Sequence, residues 1–560
     1  MPTLTLNKTV FEQLVGKKLS LEELKDRISM LGTDLEKIEG DQIHVEIFPN
    51  RPDMLSEQGF ARAFSSFIGV KTGLRKYSVH KSKYKVIIDD SVKNIRPYTV
   101  CAVVKNIILD EEKVREIIQI QEKLHVTYGR NRKKVALGIY PLNKITFPVR
   151  YKAELPSKIK FRPLGMDQLM TAEQILSEHK MGQQYGHLLQ GLSKYPYFID
   201  ANQEILSLPP IINSNLTGRV TTENTELFIE CSGFDFLVLS RCLNMIVTAL
   251  NEMGGEIYSV QLEYSSGLKT TPDLEPQPMP FNLEYVNKRI GLNLSSQEAG
   301  ELLEKMGFGY SAGKVLVPAY RTDILHPVDL VEDIAIAYGY ENLKAEIPNF
   351  STAGREDDLE KFLTKIREVM VGLGLLETKN YHLNSAENLN QKMNLNLELI
   401  PLLNAVGEHN QLRNSLLPSL IKVLSENQHH EYPQKLVEIG RVFSIDQESK
   451  DKDKESKIDT GIKESEHLGI VLSHDKTDFT EIRQVLEALF YLLQLPVSVK
   501  EIDHPSFIPG RVGEVIISGE KIGIIGEFHP AVLEHWQLKV PTVGAELDLE
   551  KVWRLVRPKK

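Results

Sequence analysis

Four acidic residues, Asp323, Asp329, Glu332 and Asp333, lie close together in an otherwise apolar segment. Pro327 is typical of the first turn of a helix, so the last three acids are predicted to share one helix face, at positions i, i+3 and i+4. Asp323 precedes the helix and can reach the same point. Carboxylates this close repel one another unless a cation compensates, and oxygen ligands favour Mg²⁺ or Ca²⁺. The spacing fits a metal site and, equally well, acids that simply favour a helix N-terminus.

The segment that carries these acids belongs to a module that is predicted to occur twice. The first copy reads "VGKKLSLEEL" and then "MLG", and the second reads "IGLNLSSQEA" and then "KMG". The residues that recur at one constant offset are Gly16, Leu19, Ser20, Glu23 and Gly32, matched by Gly291, Leu294, Ser295, Glu298 and Gly307. "NRPD" and "YRTD" follow in the two copies. The alternative is that a capping box and a C-terminal glycine occur in many unrelated helices.

The two copies differ at the acids. Where the second copy has Asp329, Glu332 and Asp333, the first has Gly59, Arg62 and Ala63. The fold of the module therefore does not require these carboxylates, which favours a function for them.

Stretches without periodicity divide the chain into four blocks. They are residues 69–85, 265–281 and 344–358, read as linkers from their glycine, proline or charge content. The predicted domains are residues 1–80, 85–265, 275–345 and 355–560, together an α+β multidomain protein. Residues 85–265 mix strand and helix patterns. The last block alternates strand and helix patterns around a mixed-charge tract from Asp446 to Glu466, which is predicted to be a solvated loop.

Composition narrows the class of protein. Charged residues make up 26% and the net charge is −9, so an RNA partner would have to meet a local basic patch. The three cysteines, Cys101, Cys231 and Cys242, match neither a disulfide framework nor a zinc site, and buried small side chains in a reducing compartment are expected. We find no transmembrane run or signal peptide pattern and expect a cytoplasmic protein.

Five segments taken together resemble one family. "RTDILHPVDLVEDIAIAYGYENL" looks like a signature of the β subunit of phenylalanyl-tRNA synthetase. The segments "PTLTLNKTVFEQLVG" with "VEIFPNRPDMLSEQGFARA", "PLGMDQLMTAEQILSEHKMGQQYGHLL", "LPPIINS" and "LRNSLLPSLIKVLSENQHHEYPQKLVEIGRVF" resemble the archaeal and eukaryotic type of that subunit, in the same order along the chain.

The resemblance implies a partner and a division of labour. It implies an α subunit that holds the aminoacylation site, two α and two β subunits in the complex, tRNA(Phe) as substrate, and ATP and phenylalanine bound through α. It also implies that Asp323, Asp329, Glu332 and Asp333 bind Mg²⁺ near the interface with α. The last block is then a class II synthetase-like antiparallel-sheet domain without catalytic motifs, and it indeed lacks a "GxGxGxxR"-type segment.

The same resemblance implies an editing domain in residues 85–265, which hydrolyses tyrosine mischarged onto tRNA(Phe). By motif alignment, Ser207, Glu230 and Ser232 match its pocket, with Glu230 accepting the tyrosyl hydroxyl and the serines positioning the ester or its attacking water. Asn213 and Thr217 are weaker candidates. Without the resemblance, Glu230 reads as a solvent-facing strand residue and Ser207 as a turn hydroxyl.

Two further questions stay open in the sequence. "GRNRKK", residues 129–134, is the strongest basic cluster, and it fits contact with a phosphate backbone as well as a solvated charge run. The alternatives to a synthetase subunit are a free-standing aminoacyl-tRNA hydrolase and a scaffold protein with a degenerate synthetase fold.

Overall fold

The computed structural model describes residues 2–311, 313–446 and 460–556. The chain folds as two compact units, residues 1–347 and 348–560. The boundary between them lies in the predicted linker 344–358. In the described residues, no helix combines the length and the apolar composition that crossing a membrane requires. The three cysteines are free and buried, as predicted.

The first unit begins with a small module, here called the N-terminal module (residues 3–67). Its elements are β1 (Thr3–Asn7), α1 (Lys8–Val15), α2 (Leu21–Met30), β2 (Asp34–Glu39), β3 (Gln42–Glu46) and α3 (Glu57–Phe67). The strands form a sheet in the order β1-β3-β2. Ser20 and Glu23 form a capping box at the start of α2, and Gly16 adopts a positive φ of 83° at the end of α1, where glycine costs least.

The central domain (residues 79–271) is built on an eleven-stranded sheet. Its strands are β4 (Val79–His80), β5 (Lys85–Ile88), β6 (Tyr98–Lys105), β7 (Val135–Pro141), β8 (Val149–Glu154), β11 (Tyr195–Ile199), β12 (Ile205–Leu208), β13 (Ile212–Asn213), β14 (Leu227–Gly233), β15 (Glu256–Tyr264) and β16 (Gly267–Thr271), and a separate pair is β9 (Lys160–Phe161) with β10 (Met170–Thr171). Its helices are α4 (Glu111–Val126), α5 (Ala172–Glu178), α6 (Lys180–Tyr185) and α7 (Phe236–Glu252).

The last part of the first unit is here called the acidic module (residues 277–338). Its elements are β17 (Gln277–Pro280), α8 (Leu283–Ile290), α9 (Ser296–Lys305), β18 (Gly309–Ser311), β19 (Lys314–Val317) and α10 (Pro327–Tyr338). Its strand order, β17-β19-β18, repeats that of the N-terminal module. Ser295 and Glu298 form the matching capping box, and Gly291 has the matching positive φ of 78°. The two predicted copies thus share their element order and caps.

The prediction that residues 265–281 form a linker without regular structure is wrong. β16 folds back onto β15, and β17 pairs with β19. Pro278 and Pro280 led to the prediction of a linker. They are compatible with a strand here because β17 lies at the edge of its sheet, where a missing N–H group leaves no neighbouring strand without a hydrogen bond. The N-terminal module, the central domain and the acidic module share one continuous hydrophobic core.

The second unit is a mostly antiparallel seven-stranded sheet in the order β20-β24-β25-β29-β28-β27-β26. The bounds are α11 (Asp358–Gly372), β20 (Leu376–Glu377), β21 (Leu383–Asn384), α12 (Ala386–Leu389), β22 (Ile400–Pro401), β23 (Gln411–Leu412), α13 (Leu417–Glu426), β24 (Gln434–Ile445), β25 (Ile462–Ser473), α14 (Phe479–Leu492), β26 (Val497–Glu501), β27 (Phe507–Ile517), β28 (Glu520–Phe528), α15 (Pro530–His535), β29 (Thr542–Asp548) and α16 (Leu549–Val556). Residues 447–459 of the predicted loop lie outside the described residues, and Ile462 to Glu466 belong to β25.

Candidate functional site

A cavity of about 210 Å³ lies in the central domain where β14 and β7 meet the end of α4 and the turn after β12. Its lining is mixed, with carboxyl, hydroxyl, imidazole, guanidinium and apolar groups. The polar side chains on its wall are Gln121, Glu122, His125, Arg132, His179, Ser207, Asn213 and Glu230. Two of the three predicted editing residues, Ser207 and Glu230, are therefore brought together.

Glu230 lies in the middle of β14 and is 2% exposed, so the alternative of a solvent-facing strand residue is wrong. Its Oε1 accepts a hydrogen bond from the hydroxyl of Tyr140 at 3.1 Å. Its Oε2 is buried and has no hydrogen-bond partner among the described residues. Burial raises the pKa of Glu230 to about 8, although the Tyr140 hydrogen bond and the charge of Arg96 act in the opposite direction. Near neutral pH the carboxyl group is largely protonated.

Ser207 lies on β12, just before the turn at Pro209 and Pro210, and is buried. Its Oγ makes no hydrogen bond of normal geometry within the described chain, although it lies beside the hydroxyl of Tyr140. Buried polar atoms without a partner are rare, and each calls for an explanation such as a ligand or an unseen water. Three of the residues that line the cavity carry such an atom, which are the two oxygens Ser207 Oγ and Glu230 Oε2 and the nitrogen Arg132 Nε.

Ser232 does not line the cavity, in contrast to the prediction from the motif. It is fully buried, and its Oγ accepts a hydrogen bond from Nε of Arg96 at 3.2 Å. Of the weaker candidates, Asn213 lines the cavity and its Oδ1 accepts a hydrogen bond from the Tyr140 hydroxyl at 3.4 Å. Thr217 is buried elsewhere, with its hydroxyl near the carbonyl oxygen of Leu206.

The structure adds a linked group of residues that sequence reasoning missed. His125 accepts a hydrogen bond from the Leu137 N–H at 2.8 Å through Nε2, which leaves Nδ1 to contact Glu122 at 3.4 Å. Burial lowers the pKa of His125, so its ring is neutral near pH 7. Glu122 also accepts a hydrogen bond from Arg132 at 2.9 Å. With both ring nitrogens engaged, His125 shapes the wall and is not a free base.

A different arrangement holds the acids of the acidic module. Arg321 donates to both oxygens of Asp323, at 2.8 and 2.7 Å, and to Oδ2 of Asp333 at 2.7 Å. Asp329 instead accepts from the N–H groups of Leu325 and His326, each at 2.7 Å, as an N-terminal helix cap. Glu332 is exposed. The structure thus brings two of the four predicted metal ligands, Asp323 and Asp333, together, and both accept hydrogen bonds from the guanidinium group of Arg321.

This arrangement does not fit a bound Mg²⁺. Both oxygens of Asp323 and Oδ2 of Asp333 already accept hydrogen bonds from Arg321, and Oδ2 of Asp329 accepts hydrogen bonds from the two N–H groups at the start of α10. No group of three or more histidine, cysteine, aspartate or glutamate side chains in the described residues is arranged to hold a metal ion. In the structure Arg321 pairs with both Asp323 and Asp333, and the charge of Arg51 acts on them as well.

Comparison with known proteins assigns the chain to a protein family. A family model described as the phenylalanyl tRNA synthetase beta chain CLM domain matches residues 343–549, and one described as the tRNA synthetase B5 domain matches residues 279–340. The proteins named phenylalanine–tRNA ligase beta subunit in Thermococcus kodakarensis and Pyrococcus furiosus are each 40% identical to it, over 99% of this chain and 99% and 100% of their own lengths. The chain belongs to the family of phenylalanine–tRNA ligase beta subunits.

A solved structure supports this membership at the level of the first unit. An N-terminal fragment of the phenylalanyl-tRNA synthetase β subunit from Pyrococcus horikoshii is 41% identical, with a TM-score of 0.58, over 60% of this chain and 99% of the fragment. Another member of the phenylalanine–tRNA ligase beta subunit family, from Archaeoglobus fulgidus, is 39% identical over 98% of both chains. The family's enzymes are aminoacyl-tRNA synthetase complexes, as the resemblance implies.

Proposed function

We propose that this chain is the non-catalytic β subunit of a phenylalanine–tRNA ligase and that its cavity hydrolyses tyrosine mischarged onto tRNA(Phe). In this proposal an α subunit carries the aminoacylation site and binds ATP and phenylalanine, and two α and two β subunits assemble in the cytoplasm. The full-length likeness to proteins named as this β subunit supports the first part. The second part rests on one observation, the unpartnered buried oxygens of Glu230 and Ser207 in a cavity large enough for one aromatic side chain.

Editing compensates for the limited discrimination between tyrosine and phenylalanine in the charging reaction. Tyrosine differs from phenylalanine by one hydroxyl group, and an apolar pocket rejects an added hydroxyl by only about 10²-fold. A second site that must hydrogen-bond this hydroxyl discriminates in the other direction by about 10⁴-fold or more, because phenylalanine would leave its polar groups unpaired. Such a site needs buried polar atoms without internal partners.

The pair of Glu230 and Tyr140 supplies such atoms. Tyr140 donates to Oε1 of Glu230, and this hydrogen bond fixes the carboxyl plane. The Oε2 side is then free to exchange a hydrogen bond with the phenolic group of a tyrosyl ester. A phenylalanyl ester in the same position would leave Oε2 desolvated, at a cost of about 1–3 kcal/mol, so this one contact supplies up to about 10²-fold of the discrimination. Discrimination thus follows from the absence of a partner within the protein.

The hydrolytic step needs a water molecule and a place for the ester. Water adds to the acyl carbon, the bond from that carbon to the ribose oxygen breaks, and the ribose oxygen takes up the proton. Ser207, whose Oγ lies beside the Tyr140 hydroxyl without a hydrogen bond of normal geometry, is the residue that we assign to positioning the ester or the water. Neither serine of the motif has a histidine base as hydrogen-bond partner in the described structure, so we assign no covalent step to the protein.

The test compares the chain with and without its α subunit. Phenylalanine charging is expected only in the co-expressed complex. The cavity of this chain should hydrolyse Tyr-tRNA(Phe) and leave Phe-tRNA(Phe) intact. Glu230→Ala should abolish most of the Tyr-tRNA(Phe) hydrolysis and leave charging unchanged. Thr217→Ala is the matched control, because Thr217 is a buried polar residue of the same domain outside the cavity. Charging by the chain alone, or equal hydrolysis by Glu230→Ala, would contradict the proposal.

A further inference from the structure

The loop between α4 and β7 has an unusual backbone. Arg130, Asn131 and Arg132 have consecutive positive φ values of 48°, 52° and 65°. For residues other than glycine, the left-handed conformation costs about 1–2 kcal/mol each. The turn is held by backbone hydrogen bonds, among them Arg132 N–H to His125 O at 3.0 Å and Lys134 N–H to Gly129 O at 2.8 Å. Such strain persists where the surrounding structure imposes it, and it concentrates at functional sites. We call residues 130–134 the basic turn.

One residue of the basic turn is built into the cavity wall. Arg132 is 5% exposed and lines the cavity. Its guanidinium group donates to the carbonyl oxygen of Ile211 at 2.7 Å and stacks over the ring of Tyr185 at 4.3 Å. Together with its bond to Glu122, these contacts attach the basic turn to α4, to α6 and to the turn after β12. The left-handed backbone therefore fixes the position of the basic turn relative to the cavity.

The other cations of the basic turn have the opposite environment. Arg130, Lys133 and Lys134 are exposed, and none of the three forms an ion pair with any acidic residue that the structure describes. They lie within two residues of Arg132 in sequence, so their backbone adjoins the cavity wall, although none of the three lines the cavity. The chain as a whole has a net charge of −9, which repels nucleic acid. The three unpaired cations give this part of the surface a local positive charge, in contrast to the net negative charge of the chain.

We propose that the basic turn binds the backbone phosphates of the single-stranded end of an RNA and so delivers an ester at its terminal ribose to the cavity. This inference deepens the proposed editing function and rests on it for the identity of the ester. The cavity has room for an aminoacyl side chain and not for the nucleotides that carry it, so the RNA must lie outside. Unpaired Arg and Lys side chains are the groups that meet phosphate oxygens in protein–RNA contacts, independently of base sequence.

The geometry favours RNA over an acidic peptide as the ligand. The backbone of the turn is held by its hydrogen bonds, and its three free cations lie at positions 130, 133 and 134, within five residues of chain, which suits the closely spaced charges of a nucleic-acid strand. Arg132 and Glu122 form a neutral pair behind them and offer no further charge to a peptide carboxylate. Because the backbone of the turn is fixed before binding, little backbone entropy is lost when the strand arrives.

The test uses the complex of this chain with its α subunit and removes the three free charges together, as Arg130→Gln with Lys133→Gln and Lys134→Gln. The matched control removes the same charge from the N-terminal module, as Lys17→Gln with Lys18→Gln and Lys25→Gln, all of them exposed. Three quantities are measured over a range of salt concentrations. They are kcat and KM for hydrolysis of Tyr-tRNA(Phe), the rate of hydrolysis of tyrosine methyl ester, and the Kd for an uncharged single-stranded RNA that ends in CCA.

The basic-turn variant should raise KM for Tyr-tRNA(Phe) and Kd for the RNA by about tenfold or more and leave kcat nearly unchanged. Its plot of log Kd against log salt should be shallower by about 2, since each phosphate contact to a single strand contributes about 0.7 to the slope. Hydrolysis of the methyl ester, which has no phosphate, should stay at the wild-type rate. The control variant should match the wild type in all three measurements.

An unchanged KM, Kd and salt slope in the basic-turn variant would overturn the inference, as would stronger competition by polyglutamate than by RNA. If the wild type hydrolyses neither ester, the editing proposal fails, and the RNA-binding measurement still decides whether the basic turn contacts phosphate. Circular dichroism and thermal unfolding of the variant distinguish loss of contact from loss of fold.

Discussion

The hydroxyl of Tyr140 donates a 3.1 Å hydrogen bond to Glu230 on the neighbouring strand of the same sheet. Gly138 lies directly opposite Glu230 in the strand register. A Cβ atom at position 138 would lie 2.6 Å from Glu230 Oε1 and closer still to the Tyr140 oxygen. Glycine at this place leaves room for the two side chains to meet above it, and the resulting pair carries the specificity of the proposed editing reaction.

Tyr140→Phe is expected to reduce kcat/KM for Tyr-tRNA(Phe) hydrolysis by about tenfold, the effect of losing one orienting hydrogen bond of about 1–1.5 kcal/mol. The ring that packs against Phe228 is kept, so the fold should survive. The matched control is Tyr128→Phe, because the Tyr128 hydroxyl contacts the Val238 carbonyl oxygen and Tyr128 does not line the cavity. Equal rates for both variants would show that the Tyr140 hydroxyl does not orient Glu230 for the reaction.

A second raised carboxyl group makes stability depend on pH. Glu57 is buried on α3, and burial together with the charge of Glu116 raises the pKa of Glu57 to about 8 from an ordinary value of 4.5. Below pH 4.5 the group is protonated in both the folded and the unfolded chain. As pH rises toward 8, the unfolded chain loses its proton first, so the free energy of unfolding falls with pH until the folded pKa is passed.

Glu57→Gln removes this titration and keeps the hydrogen bond that Oε1 accepts from the Asn7 N–H. We expect the variant to match the wild type near pH 4.5 and to be more stable by a few kcal/mol above pH 8, measured as the free energy of unfolding of the first unit. Glu22→Gln, on the exposed face of α2, is the control and should change little at either pH. A stabilisation that does not grow with pH would contradict the titration of Glu57.

The acids of the acidic module provide a test between an ion-pair cluster and the predicted Mg²⁺ site. Arg321→Met removes the guanidinium group that pairs with the buried Asp333 and the partly buried Asp323 and leaves them with the charge of the nearby Arg51, and we expect a loss of about 3–5 kcal/mol in the free energy of unfolding. Glu332→Gln should stay within about 0.5 kcal/mol of the wild type, because Glu332 is exposed. In the isolated chain, millimolar MgCl₂ should shift the Tm of neither protein.

Magnesium-dependent stabilisation of the wild type that disappears in both Glu332→Gln and Asp329→Asn would reverse this conclusion. It would show that the four acids rearrange around a metal and release Arg321. Isothermal titration with MgCl₂ measures the same binding directly and does not depend on unfolding.

The sequence predicts the features of this fold that depend on residues nearby in the chain, and it fails for those that depend on residues far away in the chain. The capping boxes at Ser20 and Ser295 and the left-handed glycines after α1 and α8 are set by neighbours within a few residues, so the repeated pattern predicts them. The edge position of β17 depends on β19, which lies more than thirty residues later, and local proline content indicated a linker there instead.

The candidate site shows the same limit. Glu230 and Ser207 follow from a family motif, but Ser232 bonds to Arg96, which is 136 positions away, and no local pattern reveals that contact. Tyr140 enters the site through strand register, and Arg132 through a strained turn that composition alone reads as a charge run. Arg321 lies two residues before Asp323 in the sequence, yet its role as counter-ion requires knowing that Arg321 is buried against the partly buried Asp323 and the buried Asp333.

The protonation state of Glu230 gives the sharpest test of the proposed chemistry. Because burial raises its pKa to about 8, the carboxyl group is mostly neutral at pH 6.5, and glutamine is then its closest mimic in shape and charge. Glu230→Gln should keep hydrolysis of Tyr-tRNA(Phe) within about threefold of the wild type at pH 6.5, whereas Glu230→Ala, which loses the hydrogen-bonding group, should lose about tenfold or more.

Above pH 8 the wild-type carboxyl group ionises and the glutamine does not, so the rate ratio of wild type to Glu230→Gln should change across that pH and stay flat below pH 7. The measurement is kcat/KM for Tyr-tRNA(Phe) from pH 6 to 9 for the wild type and both variants. If Glu230→Gln is as inactive as Glu230→Ala at pH 6.5, the reaction needs the ionised carboxylate. Binding of the tyrosyl group would then have to lower the pKa of Glu230, because a phenolic O–H donated to Oε2 stabilises the charged form.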